Sequence, residues 1–146
     1  MSSIQIKPFA AEYKKQLISV WEKSVLATHS FLDHSDFEEI KVLVQGIDFS
    51  TFPVYCLLIE DEVIGFIGIE DKKVEMLFID PKYFGQGYGK RLMDFAFENH
   101  HINKVDVNEQ NTGAVEFYNH LGFVSYERTE KDDQGRNYPI LRMKLK

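Results

Sequence analysis

The 146-residue sequence has one cysteine, four prolines and no surplus of positive charge. A single cysteine, Cys56, cannot make an internal disulfide or a Cys-rich zinc site. A formal charge of −6 argues against general DNA or RNA binding, which needs Lys and Arg to displace phosphate counterions. No apolar run reaches the roughly 18 residues of a membrane-spanning helix. The opening Met1-Ser2-Ser3-Ile4 has no basic stretch followed by an apolar one, so no secretory signal is expected. Internal repeats, low-complexity tracts and Pro/Ser-rich linkers are missing. His100, His101 and His120 lack metal-ligand spacing, and no Ser-His-Asp set or nucleophile elbow is visible. The expectation is one cytoplasmic domain over 1–146, with no metal, no nucleic acid and no membrane partner. Nothing in the sequence specifies an oligomeric state.

What is present is a core. Hydrophobic residues make up 44% and aromatic residues 14%, with 12 Phe and 7 Tyr. A domain of this length buries roughly 68–70% of its unfolded surface and needs no staples. Ile4, Ile6 and Pro8 alternate as a short strand. Tyr13, Leu17, Trp21 and Val25 recur every four residues and predict a helix over about 10–27. After a break at 28–32, Ser35 followed by Glu38 reads as a capping box. The second helix it opens carries Phe37, Ile40, Leu43, Val44 and Ile47. Three apolar runs, 54–60, 63–69 and 74–79, turn at Asp61-Glu62 and Asp71-Lys72, which predicts an antiparallel meander. A helix to about 99 follows, then a strand over 104–108. Asn111 or Thr112 caps a helix whose stripe is Ala114, Phe117, Tyr118 and Leu121, with Gly122 at its C-terminal end. A hairpin over 123–130 and 138–144 closes the chain. The strand–helix–strand passage over 74–108 demands a local parallel pair. The fold class is α/β: a mixed, mostly antiparallel sheet with helices on both faces.

The chemistry concentrates in Phe84-Gly85-Gln86-Gly87-Tyr88-Gly89-Lys90-Arg91, which follows a strand and opens a helix. Such a junction offers unpaired backbone N–H groups and the positive end of a helix dipole, a ready site for phosphate. Lys82, Lys90 and Arg91 add local positive charge. The dinucleotide fingerprint fails, because position 90 is lysine and not glycine. The Walker loop fails as well, with Phe84 and Arg91 where Gly and Ser/Thr belong.

Ile79-Asp80-Pro81, then Gly85-x-Gly87-x-Gly89, then Asn111-x-x-Ala114-x-x-Phe117-Tyr118-x-x-x-Gly122-Phe123 closely resembles the GNAT family of acetyl-CoA-dependent N-acetyltransferases. The element order matches along the whole chain. Ser24-Val25-x-Ala27-Thr28-His29-x-Phe31-Leu32 and the run 107–111 resemble the bacterial YjaB-type subgroup, whose members act on protein lysines. The resemblance implies roles. Gly85, Gln86, Gly87, Tyr88, Gly89 and Lys90 would hold the CoA pyrophosphate. Leu77, Phe78 and Ile79 would pair through their backbone with the pantetheine arm, in a gap opened beside the 104–108 strand, where one N–H polarises the thioester carbonyl. Asn111 would contact that arm, and Tyr118 would protonate the departing thiolate. Phe84 departs from the family pattern, which has Arg or Gln there.

Amine acetylation needs a base, since free lysine has a pKa of about 10.4. Glu75 is one candidate, placed by strand alternation on the face of Leu77 and Ile79. His29 is the rival, between the first two helices where this family receives its acceptor, with Phe31 beside it; a water chain is the third possibility. Cys56 sits in an apolar run and reads as core. The expected reaction is direct transfer to a primary amine, with a protein lysine favoured and a small amine open. A non-catalytic acyl-CoA sensor and an interaction module are the competing classes.

Overall fold

Two tight turns build the first half of the sheet. Glu60 and Asp61 have φ of 49° and 70°, and Asp71 and Lys72 have φ of 50° and 65°. Left-handed backbone at both central residues gives hairpin turns whose twist matches the strands they join. The first turn therefore sits one residue earlier than the Asp61-Glu62 expected from sequence, because Glu62 already pairs with Ile59.

The computed structural model describes residues 3–146; Met1 and Ser2, which begin the segment searched for a secretory signal, lie outside the described residues. The strands are β1 (Ile4–Pro8), β2 (Val54–Ile59), β3 (Glu62–Glu70), β4 (Lys73–Ile79), β5 (Lys104–Asn108), β6 (Phe123–Thr129) and β7 (Ile140–Leu145). The helices are α1 (Lys14–Thr28), preceded by a 3-10 turn at Ala11–Tyr13, α2 (His34–Gln45), α3 (Tyr88–His100) and α4 (Thr112–His120). The sheet order is β1-β2-β3-β4-β5-β7-β6. Among the described residues only β4 and β5 run parallel, as the crossover through α3 requires. The mixed sheet of the sequence reading is thus observed. Its final hairpin forms too, but β7 inserts between β5 and β6, and Tyr138 lies outside the strand.

Each face carries a core. One gathers Leu92, Met93 and Ala96 of α3 with Tyr118, Phe123, Val105 and Met143. The other gathers Leu17, Trp21 and Val25 of α1 with Phe37, Cys56 and Phe66. Trp21 and Phe37 stack at 5.6 Å and join α1 to α2. Leu43, assigned to the buried stripe of α2 on sequence, is 52% exposed, because α2 meets the core through Phe37 and Val44. The Ser35–Glu38 capping box is also absent. The helix begins at His34, with Asp33 as its cap residue and no side-chain cap bond. Asp33 N–H instead donates to the Tyr138 hydroxyl at 3.1 Å, so a distant residue fixes the helix entry.

Two irregularities in β4 position the site. Gly68 pairs with Met76 and Ile69 with Val74, leaving Glu75 unopposed in a β-bulge. The bulge breaks the alternation: Val74 shares the α3/α4-side core with Leu77 and Ile79, while Met76 and Phe78 face the other core. Glu75 itself lies 3.9 Å from Lys73, on the face opposite Val74, which corrects the expectation that it shares the Leu77–Ile79 face by simple alternation. Secondly, β4 pairs with β5 only at Lys73–Lys104 and Val74–Val105. Beyond that point the strands part, and the β5-facing backbone of Leu77, Phe78 and Ile79 has no strand partner.

Candidate active site

A cavity of about 680 Å³ fills the gap where β4 and β5 separate. Leu77, Phe78 and Ile79 form one wall. Gly85, Gly87, Tyr88, Gly89 and Lys90 line the mouth, Tyr118 comes from α4 and Asn111 from its N-cap, and His29 caps the end of α1. These residues, named separately from sequence, therefore meet in one space. Gln86, Phe31 and Glu75 do not line it.

The mouth is built for an anion. The first intrahelical bond of α3 runs from Arg91 N–H to Gly87 O at 3.0 Å, so the amides ahead of it have no intrahelical acceptor. Gly87 caps the helix at φ 84°, ψ 9°, a left-handed conformation that a side chain would strain. A Cβ there would meet nothing within 4 Å, so conformation and not space selects glycine. At Gly89 a Cβ would stand in ordinary van der Waals contact with the Phe117 ring, 3.4 Å away, where α3 and α4 approach. Lys90 is held by Asp94 at 2.9 Å on the exposed face of α3. Asn111 caps α4 by accepting from Ala114 N–H at 3.2 Å, which leaves its amide NH₂ as a donor.

Deeper in the cavity lie two titratable groups. Tyr118 is 6% exposed, packed edge-on against Phe117 and Phe123. Burial alone raises its pKa above the ordinary phenol value, so it stays protonated. His29 is pushed the other way: burial lowers its pKa to about 4, so its ring is neutral at pH 7. Its Nδ1 lies 2.7 Å from Thr28 Oγ1. Phe31 packs against the His29 ring at 5.1 Å and reaches Tyr138 at 6.0 Å, backing the cavity wall without entering it.

Glu75 belongs to a different group of charges. It lies 3.9 Å from Lys73, which also pairs with Asp106; Asp106 in turn binds Arg142. Burial raises the Glu75 carboxyl above its usual range against the opposing pull of Lys73. Cys56 is fully buried in the α1/α2 core, where desolvation pushes its thiol up to about 12.

The model of the acetyltransferase (GNAT) domain matches residues 9–146. The chain belongs to the GNAT family. Among GNAT relatives, it is 39% identical over 141 residues to the peptidyl-lysine N-acetyltransferase YjaB of Salmonella typhimurium, covering 96% of this chain and 97% of that protein. The solution structure of apo YjaB from Escherichia coli superposes with a TM-score of 0.90 at 34% identity, over 98% of this chain and 97% of that one. A more distant GNAT fold is the PaiA N-acetyltransferase of Thermoplasma acidophilum in complex with coenzyme A, with a TM-score of 0.71 at 21% identity over 98% and 99% of the two chains. The chain is accordingly an N-acetyltransferase.

Sequence reasoning about this GNAT site overlooked Ser24, Thr28, Tyr83 and Gly113, which also line the cavity. Ser24 is the buried polar residue among the described residues, at 5% exposure. Its signal was available: Ser24 and Thr28 stand one turn apart, a polar pair at helical spacing beside His29.

Proposed function

We propose that this GNAT chain moves the acetyl group of acetyl-CoA to the ε-amine of a lysine in a peptide or protein, by direct attack within a ternary complex. One observation carries the reading: a single cavity joins an unpaired strand edge, an amide-rich helix start, a protonated tyrosine and a neutral histidine. The loop amides from Gly85 to Lys90 suit a pyrophosphate, and the free edge of β4 suits the amide-bearing pantetheine arm. Asn111 adds a donor toward that arm. A backbone N–H of the bulged strand polarises the thioester carbonyl.

Tyr118 donates its proton to the departing thiolate. Burial raises the pKa of a phenol and of a thiol alike, so donor and acceptor stay matched in the same apolar space. His29 receives the amine proton. Glu75, tied to Lys73 outside the cavity, does not compete for that role. With Cys56 buried and protonated on the opposite side of the sheet, no thiol is placed to carry an acyl group. The lysine acceptor is supported by the names of the YjaB relatives.

The test combines calorimetry with CoA and acetyl-CoA, and thiol release with lysine peptides, free lysine and polyamines. The expected result is acetyl-CoA binding with release that depends on a lysine peptide, one acetyl group appearing on its side chain by mass spectrometry. Failure to bind acetyl-CoA overturns the reading. Turnover confined to small amines overturns the peptide acceptor alone.

A further inference from the structure

The ring of His29 is placed in the cavity, but its chemistry there depends on which nitrogen carries the proton. That choice can be read from its neighbour. Thr28 Oγ1 lies 2.7 Å from the carbonyl oxygen of Ser24, one turn back on α1. A carbonyl only accepts, so the single hydroxyl proton of Thr28 must point at it; two oxygens at that separation with no proton between them would repel. The same Oγ1 lies 2.7 Å from His29 Nδ1. With its proton committed, Oγ1 has only lone pairs to offer, and Nδ1 must be the donor.

We infer that Thr28 is a positioning residue, whose hydroxyl, committed to Ser24, holds His29 as the Nδ1–H tautomer and leaves Nε2 as the proton acceptor for the attacking amine. This rests on the acetyl transfer proposed above. Among the described residues Nε2 has no hydrogen-bond partner, while the ring lines the cavity. The backbone reinforces the arrangement, since His29 N–H donates to Val25 O at 2.8 Å and ends the helix there. Phe31 flanks the ring and gives it no competing polar contact. Burial is the cause resolved for the ring's lowered basicity, with no charged neighbour contributing.

The proton balance follows. Such a ring is too weak a base to strip a free lysine ammonium, whose pKa is about 10.4. It acts once the ammonium has given its first proton to solvent and the neutral amine attacks. As the C–N bond forms, the nitrogen spends its lone pair and its N–H becomes far more acidic. That proton passes to Nε2, the C–S bond breaks, and the thiolate takes the phenolic proton of Tyr118. The imidazolium so formed still has Nδ1–H bonded to Thr28, so the product state costs no orphaned donor on that side.

Long-range proton–nitrogen NMR spectra of the ¹⁵N-labelled protein test this directly, with His29 assigned by the signals lost in His29→Gln. Wild type should show a protonated Nδ1 and an unprotonated Nε2 at pH 7. Thr28→Val should move the proton toward Nε2 and lower kcat at least about tenfold with KM for acetyl-CoA unchanged, and Thr28→Ser should restore both. An Nε2–H tautomer in wild type, or an unchanged tautomer in folded Thr28→Val, overturns the inference. If Thr28→Val does not fold, the wild-type spectrum and the Thr28→Ser kinetics decide it. Full kcat in His29→Gln would instead overturn the base assignment beneath it, and the spectrum would still report the tautomer.

Discussion

In the proposed mechanism Tyr118 serves packing and chemistry at once. Its ring fills the core between Phe117 and Phe123, at 5.1 and 5.8 Å. Among the described residues its hydroxyl has no hydrogen-bond partner, and burial is the only cause resolved for its raised pKa. The two roles therefore separate cleanly by substitution. Tyr118→Phe keeps the ring contacts and removes only the proton donor. Steady-state kinetics should show kcat reduced about a hundredfold or more, with KM for acetyl-CoA and the melting temperature close to wild type. Unchanged kcat would mean that the thiolate finds its proton elsewhere. At the same scale, Glu75 and His29 illustrate what side-chain type leaves open. Both can act as bases, but a bulge and an ion pair draw Glu75 toward Lys73, while helix termination sets His29 in the cavity.

The elements matter chiefly at their ends. The start of α3 supplies the free amides, and its left-handed cap at Gly87 aims them. An alanine there would bear roughly 1–2 kcal/mol of backbone strain, which the loop would relieve by shifting its amides. Calorimetry on Gly87→Ala should show CoA binding weakened about tenfold, the equivalent of that strain. Gly135 provides the control. It has φ of 80° and open space around it in the β6–β7 connection, so Gly135→Ala should bring similar strain with CoA affinity unchanged. Loss of affinity in both variants would point to general destabilisation. The same principle explains the start of α2. Sequence offers Ser35 and Glu38 as a local cap, yet the Tyr138 hydroxyl takes the Asp33 amide and also donates to Asp36, and Arg136 pairs with Asp36 and Glu39. A clasp between α2 and the β6–β7 connection replaces the local signal.

For the molecule as a whole, the half-buried histidine links the site to stability. Folded His29 has its pKa lowered from 6.5 to about 4. Between those values the unfolded chain binds the proton that the folded chain refuses, so stability rises with pH through this window. The contribution is complete above about pH 6.5 and is lost as pH falls toward 4, amounting to up to about 3 kcal/mol. Urea unfolding of wild type and His29→Gln at several pH values should show the wild type losing stability more steeply below pH 6.5. Parallel pH profiles would show that the ring is solvated and not buried. The net charge of −6 also acquires a location. Of the cations around the glycine loop, Lys90 lines the cavity and is paired with Asp94, so the unpaired amides of the helix start are what an anion meets there.

Periodicity, turn residues and glycine spacing were enough to determine the element order, the parallel β4–β5 crossover, the Gly85–Gly89 loop and the place of Tyr118 on its helix. Each is a local consequence of which residues follow one another, because strand and helix periods and positive-φ positions are set within a few residues. Sequence could not foresee the bulge and ion pair at Glu75, place Ser24 and Thr28 in the cavity, or foresee that Tyr138 would fix the start of α2. Those outcomes depend on groups brought together across the chain: Gly68 and Ile69 opposite the bulge at Glu75, and Tyr138 more than a hundred positions from Asp33. Even the Thr28–His29 pair, adjacent in sequence, gains its meaning only when the fold half-buries the ring in the cavity wall. Burial is a property of the packed whole, and burial is what pushes the histidine's pKa down and the tyrosine's up in the same space.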